Sequence, residues 1–226
     1  MNEDKKAGLL YGSFCADALS LGVHWIYDTK ELAQKHGRVN EYKAPDPDSY
    51  HPNKQAGEQG HVGDQALCLL RFLLREKIWN NDAFMKEWLG IWPSYNDYVD
   101  GATKTTLANL QNQSDKTQGG SESVEIAGPA RIAPLVCHLA NSTEEEVVQA
   151  SVEQTMLTHR SAEAEETTVF LAKAGYRLIH GANLSDTLNE TAPVWALEKA
   201  KGEFSENAVD AAVSYTHLTL PTICSV

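Results

Sequence analysis

Positive charge is scarce in this chain. Nineteen Lys and Arg stand against 31 Asp and Glu, a formal net charge of -12 over 226 residues. That balance disfavours nucleic-acid backbones and anionic membrane surfaces as partners. It leaves room for a small anionic ligand held by helix N-termini or by a metal. Cysteine is scarce too. Cys15, Cys68, Cys137 and Cys224 show no paired spacing, which argues against a disulfide framework or a zinc ribbon. The first three stand in apolar contexts and are expected as reduced core residues. No long apolar run follows the charged start Met-Asn-Glu-Asp-Lys-Lys. Neither a signal peptide nor a membrane helix is therefore expected, and the compartment reads as cytoplasmic. Strand-period alternation, long internal repeats and low-complexity tracts are also missing.

What is present reads as helix almost throughout. The spacing predicts helices over residues 29–36, 65–77, 81–92, about 101–112, about 143–157, 162–180 with Ser161 as its cap, and from 185 towards Pro193. Their stops include Gly37, Pro93 and Gly181. Ser142-Thr-Glu-Glu145 is a capping-box pattern. Gly128-Pro129 and Pro134 break the apolar run 121–139, so a kinked or divided helix is expected there. In helix 65–77, Leu67, Leu70 and Leu74 are expected to face the core. Trp79, Trp88 and Trp92 read as core packing at helical spacing. Residues 40–62 carry Pro45, Pro47, Pro52, Gly57 and Gly60 and read as one long loop. Loops of that length are usually functional or disordered. An all-α orthogonal multi-helix bundle follows, and 226 residues suffice for one sizeable core.

The segment 8–28 is the most informative. Leu10, Phe14, Ala18 and Leu21 fall on one helical stripe, and Gly8, Gly12 and Ala16 form a second stripe of small residues open to a neighbouring helix. Asp17 flanks the apolar face, where a half-desolvated carboxylate needs a partner. It is expected either to cap a nearby helix end or to face a polar pocket among helices. Asp64 stands at a helix start, which suits an N-cap, a metal ligand, or both.

Read together, the first-helix segment, Gly63-Asp64-Gln65, Gly128-Pro-Ala-Arg-Ile-Ala-Pro134 and Thr158-His159 with Ala162 resemble the ADP-ribosylglycohydrolase family. His24-Trp-Ile-Tyr-Asp28 and the run from Tyr50 to Gln65 look most like its crystallin J1-like branch. The resemblance spans roughly residues 7–212. It implies an all-helical domain with a two-metal magnesium centre at the mouth of a cleft for ADP-ribose. The reaction it implies is hydrolysis of the glycosidic bond between ADP-ribose and a side chain or small acceptor. Two magnesium ions can orient a water, and a carboxylate can assist an oxocarbenium-like transition state.

Carried over residue by residue, the resemblance makes Asp64 and Asp17 the catalytic carboxylates. It makes Asp64 and Gln65 the metal ligands, and Gly128, Arg131 and His159 the contacts to an ADP-ribose-like small molecule. The usual Thr-Asp-Asp run reads Gly63-Asp64-Gln65 here, so a hydroxyl and a carboxylate are missing. His24 stands where many relatives have Glu. It is expected to anchor the helix end beside Trp25, with acid/base work as the alternative. Arg131 suits an ion pair as well as a phosphate, and His159 suits a structural contact as well as a ligand. These departures keep a second function open, that of a non-catalytic, crystallin J1-like structural or ligand-binding protein. The last motif of the family, Asp-x-Asp followed by Ser or Thr, has no match in residues 200–226. Residues 1–212 are accordingly expected to form one domain cut short at its C-terminus, and 213–226 a non-native tail resembling a translated sequencing adapter.

Overall fold

The computed structural model describes residues 2–24, 26, 28–111 and 115–192. The expected break at Pro193, the tail at 213–226, Cys224 and Trp25 lie outside them. Nine α-helices run through the described residues. They are α1 (Glu3–Leu21), α2 (Thr29–His36), α3 (His61–Glu76), α4 (Asn81–Ile91), α5 (Gly101–Gln111), α6 (Ala133–His138), α7 (Glu144–Met156), α8 (Ala162–Ile179) and α9 (Leu184–Thr191). The fold is all-α. Its one β-like contact among the described residues is an isolated parallel bridge between Ser121 and His159.

Helix ends follow the local chemistry. Asn2, Asp28, Asn80, Thr143, Ser161 and Asn183 each accept a backbone N–H at an N-terminus. The capping box is Thr143 with Glu146, one residue later than the sequence pattern suggests. Gly37 ends α2 at φ 61°, a left-handed conformation that glycine adopts without a Cβ penalty. Pro93 turns the end of α4 into a 3-10 turn over Trp92–Ser94. The interrupted run 121–139 becomes a 3-10 turn over Pro129–Arg131 followed by α6.

α3 sits centrally, packed against α1, α4 and α6, while α7 and α8 pack along one another. One core cluster gathers Leu69, Phe72 and Leu73 of α3 with Phe84, Met85 and Trp88 of α4, plus Leu110, Leu135 and Leu157. Each such side chain stabilises the fold by roughly 1.5–3 kcal/mol on burial. The second cluster joins Leu9 of α1 to Val136, Val147, Ala172 and Ile179.

The core face of α3 differs from the expected one. Leu74 is 58% exposed, whereas Leu69, Phe72 and Leu73 are buried. A leucine-rich helix carries more than one apolar stripe, and the neighbours decide which one is covered. α3 also begins four residues earlier than expected, because its cap comes from another helix. In α1, Leu10 and Phe14 are only half-buried. A Cβ at Gly8 would meet nothing within 4 Å, so no helix crosses closely there. Cys15, expected in the core, is exposed, while Cys68 and Cys137 are buried.

Candidate functional site

The start of α3 is the organising point. Its N-cap is Gly60, which has no side chain to offer the first free N–H groups. Asp17, one turn from the end of α1, supplies the acceptor. Its carboxylate takes the Gly60 N–H at 2.6 Å and the Gly63 N–H at 3.1 Å. A Cβ at position 63 would collide with that carboxylate and with Gln59 Oε1. The glycine found where the family pattern has Thr is therefore what lets Asp17 seat itself. Burial pushes the Asp17 carboxyl up to about 6, the negative charge of Asp64 adds to this, and the two N–H bonds oppose it.

Asp64 lies in the first turn of α3 and is not its cap. Its Oδ2 accepts from Lys54 Nζ at 2.6 Å and from the Tyr95 hydroxyl at 2.8 Å. Burial and the adjacent Asp64 carboxylate push the Tyr95 phenol well above its usual range. Gln65, expected to offer its oxygen to a metal, is buried and spends that oxygen inside the fold. Oε1 accepts from Trp88 Nε1 at 2.8 Å and from Arg131 Nη1, and Nε2 donates to the His61 carbonyl at 3.2 Å.

Arg131 is buried. Its second arm, Nη2, donates to Thr158 Oγ1, and its Nε has no partner in the structure. Burial holds the guanidinium down at about 10, against the favourable charge of Asp100, and it stays cationic at neutral pH. Asp100 itself caps α5 through the Thr103 N–H and hydroxyl, both at 2.7 Å. His159 places Nδ1 2.9 Å from Thr158 Oγ1, and its Nε2 is buried without a partner. Burial first, then the charge of Arg131, holds the His159 imidazole at about 3. A Cβ on Gly128 would lie 2.7 Å from His159 Nδ1. The close approach expected of this glycine is thus made by the His159 ring.

A cavity of about 280 Å³ opens between α1, α3 and the turn before α6. Phe14, Asp17, His24, His61, Asp100 and Arg131 are in its wall. The structure brings Asp17 and Arg131 together there, with Asp64 close enough to act on Asp17 by charge. Gly128 and His159 stand outside the wall, and His159 is joined to Arg131 through Thr158.

Beside the cavity lie three imidazoles. The His24 and His51 rings stack at 5.3 Å, His24 and His61 at 5.7 Å, and His51 and His61 at 5.6 Å. Tyr98 meets His51 and His61 edge-on. His51 Nδ1 lies 2.6 Å from Asp97 Oδ2, and its Nε2 lies 3.2 Å from His24 Nδ1. One ring nitrogen from each of the three falls within 4.8 Å of the others, a set able to hold a metal ion. Desolvation, followed by the neighbouring imidazoles, holds His24 at about 3. Burial likewise holds His61 at about 4 against the pull of Asp100. Sequence reasoning misses His51, Lys54, Tyr95 and Asp97. The usable signal is a glycine- and proline-rich loop carrying His51, Lys54 and His61, and two aspartates framing Tyr98 just ahead of a helix.

Comparison with known proteins fits this architecture. Among solved structures, a chain of an "ADP-ribosylglycohydrolase-related protein complex" superposes with a TM-score of 0.68 at 22% identity, over 89% of this chain and 67% of that one. At that identity the likeness speaks for the fold. No curated protein matches the sequence. No described helix is long and apolar enough to cross a membrane. The family model for ADP-ribosylglycohydrolases matches residues 2–221, nearly the whole sequence. The chain therefore belongs to the ADP-ribosylglycohydrolase family.

Proposed function

We propose that the cavity binds an ADP-ribose-like small molecule and hydrolyses its glycosidic bond to a side chain or small acceptor, with Asp17 as the catalytic carboxylate. One observation carries the reading. A half-buried carboxylate, with its proton affinity raised to about 6, lines a cavity together with a buried arginine in a member of this family. Hydrolysis adds a water oxygen to the anomeric carbon as the glycosidic bond breaks. The leaving group takes the bonding electron pair and a proton, and the water gives up one proton. A carboxyl titrating near neutrality is suited to carrying that proton. Arg131 supplies positive charge at the wall for an anionic ligand. Gln65, Thr158 and, through Thr158, His159 hold it in place as positioning residues. Lys54 and Tyr95 fix Asp64, whose charge adds to burial in raising the proton affinity of Asp17. The proposed setting is cytoplasmic.

Magnesium at the start of α3 is the family's expectation, and the donors there do not fit it. Such an ion wants an octahedron of hard oxygens. Position 63 has no side chain, the Gln65 oxygen is spent on Trp88 and Arg131, and the Asp64 Oδ2 is held by an ammonium and a phenol. The same facts favour a second reading, a ligand-binding member of the crystallin J1-like kind without turnover.

The test is release of ADP-ribose from ADP-ribosylated peptides and small acceptors, beside calorimetric binding of ADP-ribose. The glycosidase reading expects release by the wild type. Asp17→Asn should lower it at least about 100-fold, the scale of general acid–base help, with binding kept within a few-fold. Binding without release would leave the ligand-binding reading, and neither binding nor release would overturn both.

A further inference from the structure

We infer that His24, His51 and His61 form a site for one divalent transition-metal ion of the zinc class, open to the cavity, with Asp97 orienting His51. The inference goes beyond the glycosidase reading and stands without it.

Three separate parts of the chain converge to make the cluster. His24 follows the end of α1, His51 comes from the loop before α3, and His61 is the first residue of α3. Their ligating nitrogens lie within 4.8 Å of one another. One pair, His24 Nδ1 and His51 Nε2, is 3.2 Å apart. Two ligands on a tetrahedral zinc, each bonded at about 2.0–2.1 Å, stand about 3.3 Å apart. Bringing three lone pairs onto one point requires the near-parallel rings to turn about Cβ–Cγ, a torsion that is broad for histidine.

Two further observations point to a ligand. The His51–Asp97 pair is almost fully buried, 1% and 2% exposed, and short at 2.6 Å. A carboxylate on one nitrogen of an imidazole leaves the other nitrogen basic and aimed, the usual outer support of a metal-bound histidine. His61 is 5% exposed, and its Nδ1 has no partner in the structure. A buried, unpaired ring nitrogen is costly unless something binds it.

The chemistry selects the ion. Three imidazoles suit zinc, cobalt, nickel or copper, whereas magnesium prefers oxygen donors. His24 and His61 also line the cavity, so a fourth position can face it. Three protein ligands and one open position is the pattern of catalytic rather than structural zinc. The competing reading is a closed, stacked cluster in which a single N–H bridges His24 and His51, and it requires no metal affinity.

The test takes the full chain, stripped with chelator and titrated with cobalt(II) and then zinc in excess magnesium. One equivalent of cobalt should bind with visible absorption and be displaced by zinc, unaffected by magnesium. His51→Ala and His61→Ala should each weaken uptake at least about tenfold, and Asp97→Asn by about 10–100-fold. His180→Ala, at an exposed histidine, should change nothing. X-ray absorption on the unmutated zinc-loaded protein should count three imidazole nitrogens at about 2.0 Å, which guards against variants that fail to fold. No stoichiometric uptake, fewer than three imidazoles, or an affinity unchanged in His51→Ala would overturn the site.

Discussion

At the scale of single residues, Asp17 has two duties that pull its chemistry in opposite directions. As a cap it accepts two backbone N–H groups, which favours the carboxylate. As a half-buried group beside Asp64 it is driven towards the neutral acid, and desolvation wins, raising it from 3.8 to about 6. Between those values the folded state holds a proton that the unfolded chain has released, so stability falls as pH rises. The contribution is complete below about pH 4 and is lost as pH climbs through about 6, on the order of 3 kcal/mol at most. Urea unfolding of the wild type and Asp17→Asn should show this. From about pH 4 to about pH 7 the wild type should lose ground relative to the variant by up to that amount. A difference that stays flat across the window would mean that Asp17 is ordinary. Asp17 was legible in the sequence as a carboxylate in need of a partner. Which amides it would meet was not, since Gly60 and Gly63 lie more than forty residues away along the chain.

At the scale of elements, the N-terminus of α3 shows how a remote side chain can replace a local cap. Gly63→Ala raises helix propensity by roughly 0.5–1 kcal/mol. The new methyl, however, takes the space of the Asp17 carboxylate and Gln59 Oε1. Losing a cap costs about 0.5–2 kcal/mol, and leaving buried N–H groups unpaired costs about 1–3 kcal/mol more. The net expectation is a destabilisation of about 1–3 kcal/mol by chemical denaturation, with amide exchange at residues 60–63 accelerated. A neutral or stabilising outcome would show that Asp17 is not the cap. The loop ahead of α3 belongs to the same scale. Its prolines and glycines mark it as irregular, and it delivers His51, Lys54 and Gly60 to one place. Composition announces such a loop, but its path is set by what its ends and side chains find.

At the scale of the whole molecule, Arg131 ties the bundle together. It joins Gln65 of α3 to Thr158 between α7 and α8, and Gln65 in turn holds Trp88 of α4. Removing the guanidinium strands buried acceptors and leaves Asp100 without its compensating charge. Arg131→Met should therefore cost about 3–5 kcal/mol in thermal or chemical unfolding. Lysine should rescue it poorly, since one ammonium cannot span two acceptors in a planar fork. A loss under about 1 kcal/mol would place Arg131 outside the framework and return it to ligand binding alone.

The sequence by itself determined the helical class, most helix ends, the divided run before α6 and the family. The first three rest on interactions within a few residues, such as capping side chains, Gly and Pro stops, and the period of apolar positions, and the family rests on an ordered set of motifs along most of the chain. It also singled out Asp17 and Arg131, which the cavity wall brings together. Only the tertiary structure decided which stripe of α3 is buried, that Gln65 faces Arg131 and not the cavity, that Gly128 makes way for His159, and that His24, His51 and His61 meet. Those outcomes depend on contacts between residues far apart in the chain, and short-range spacing carries no information about them.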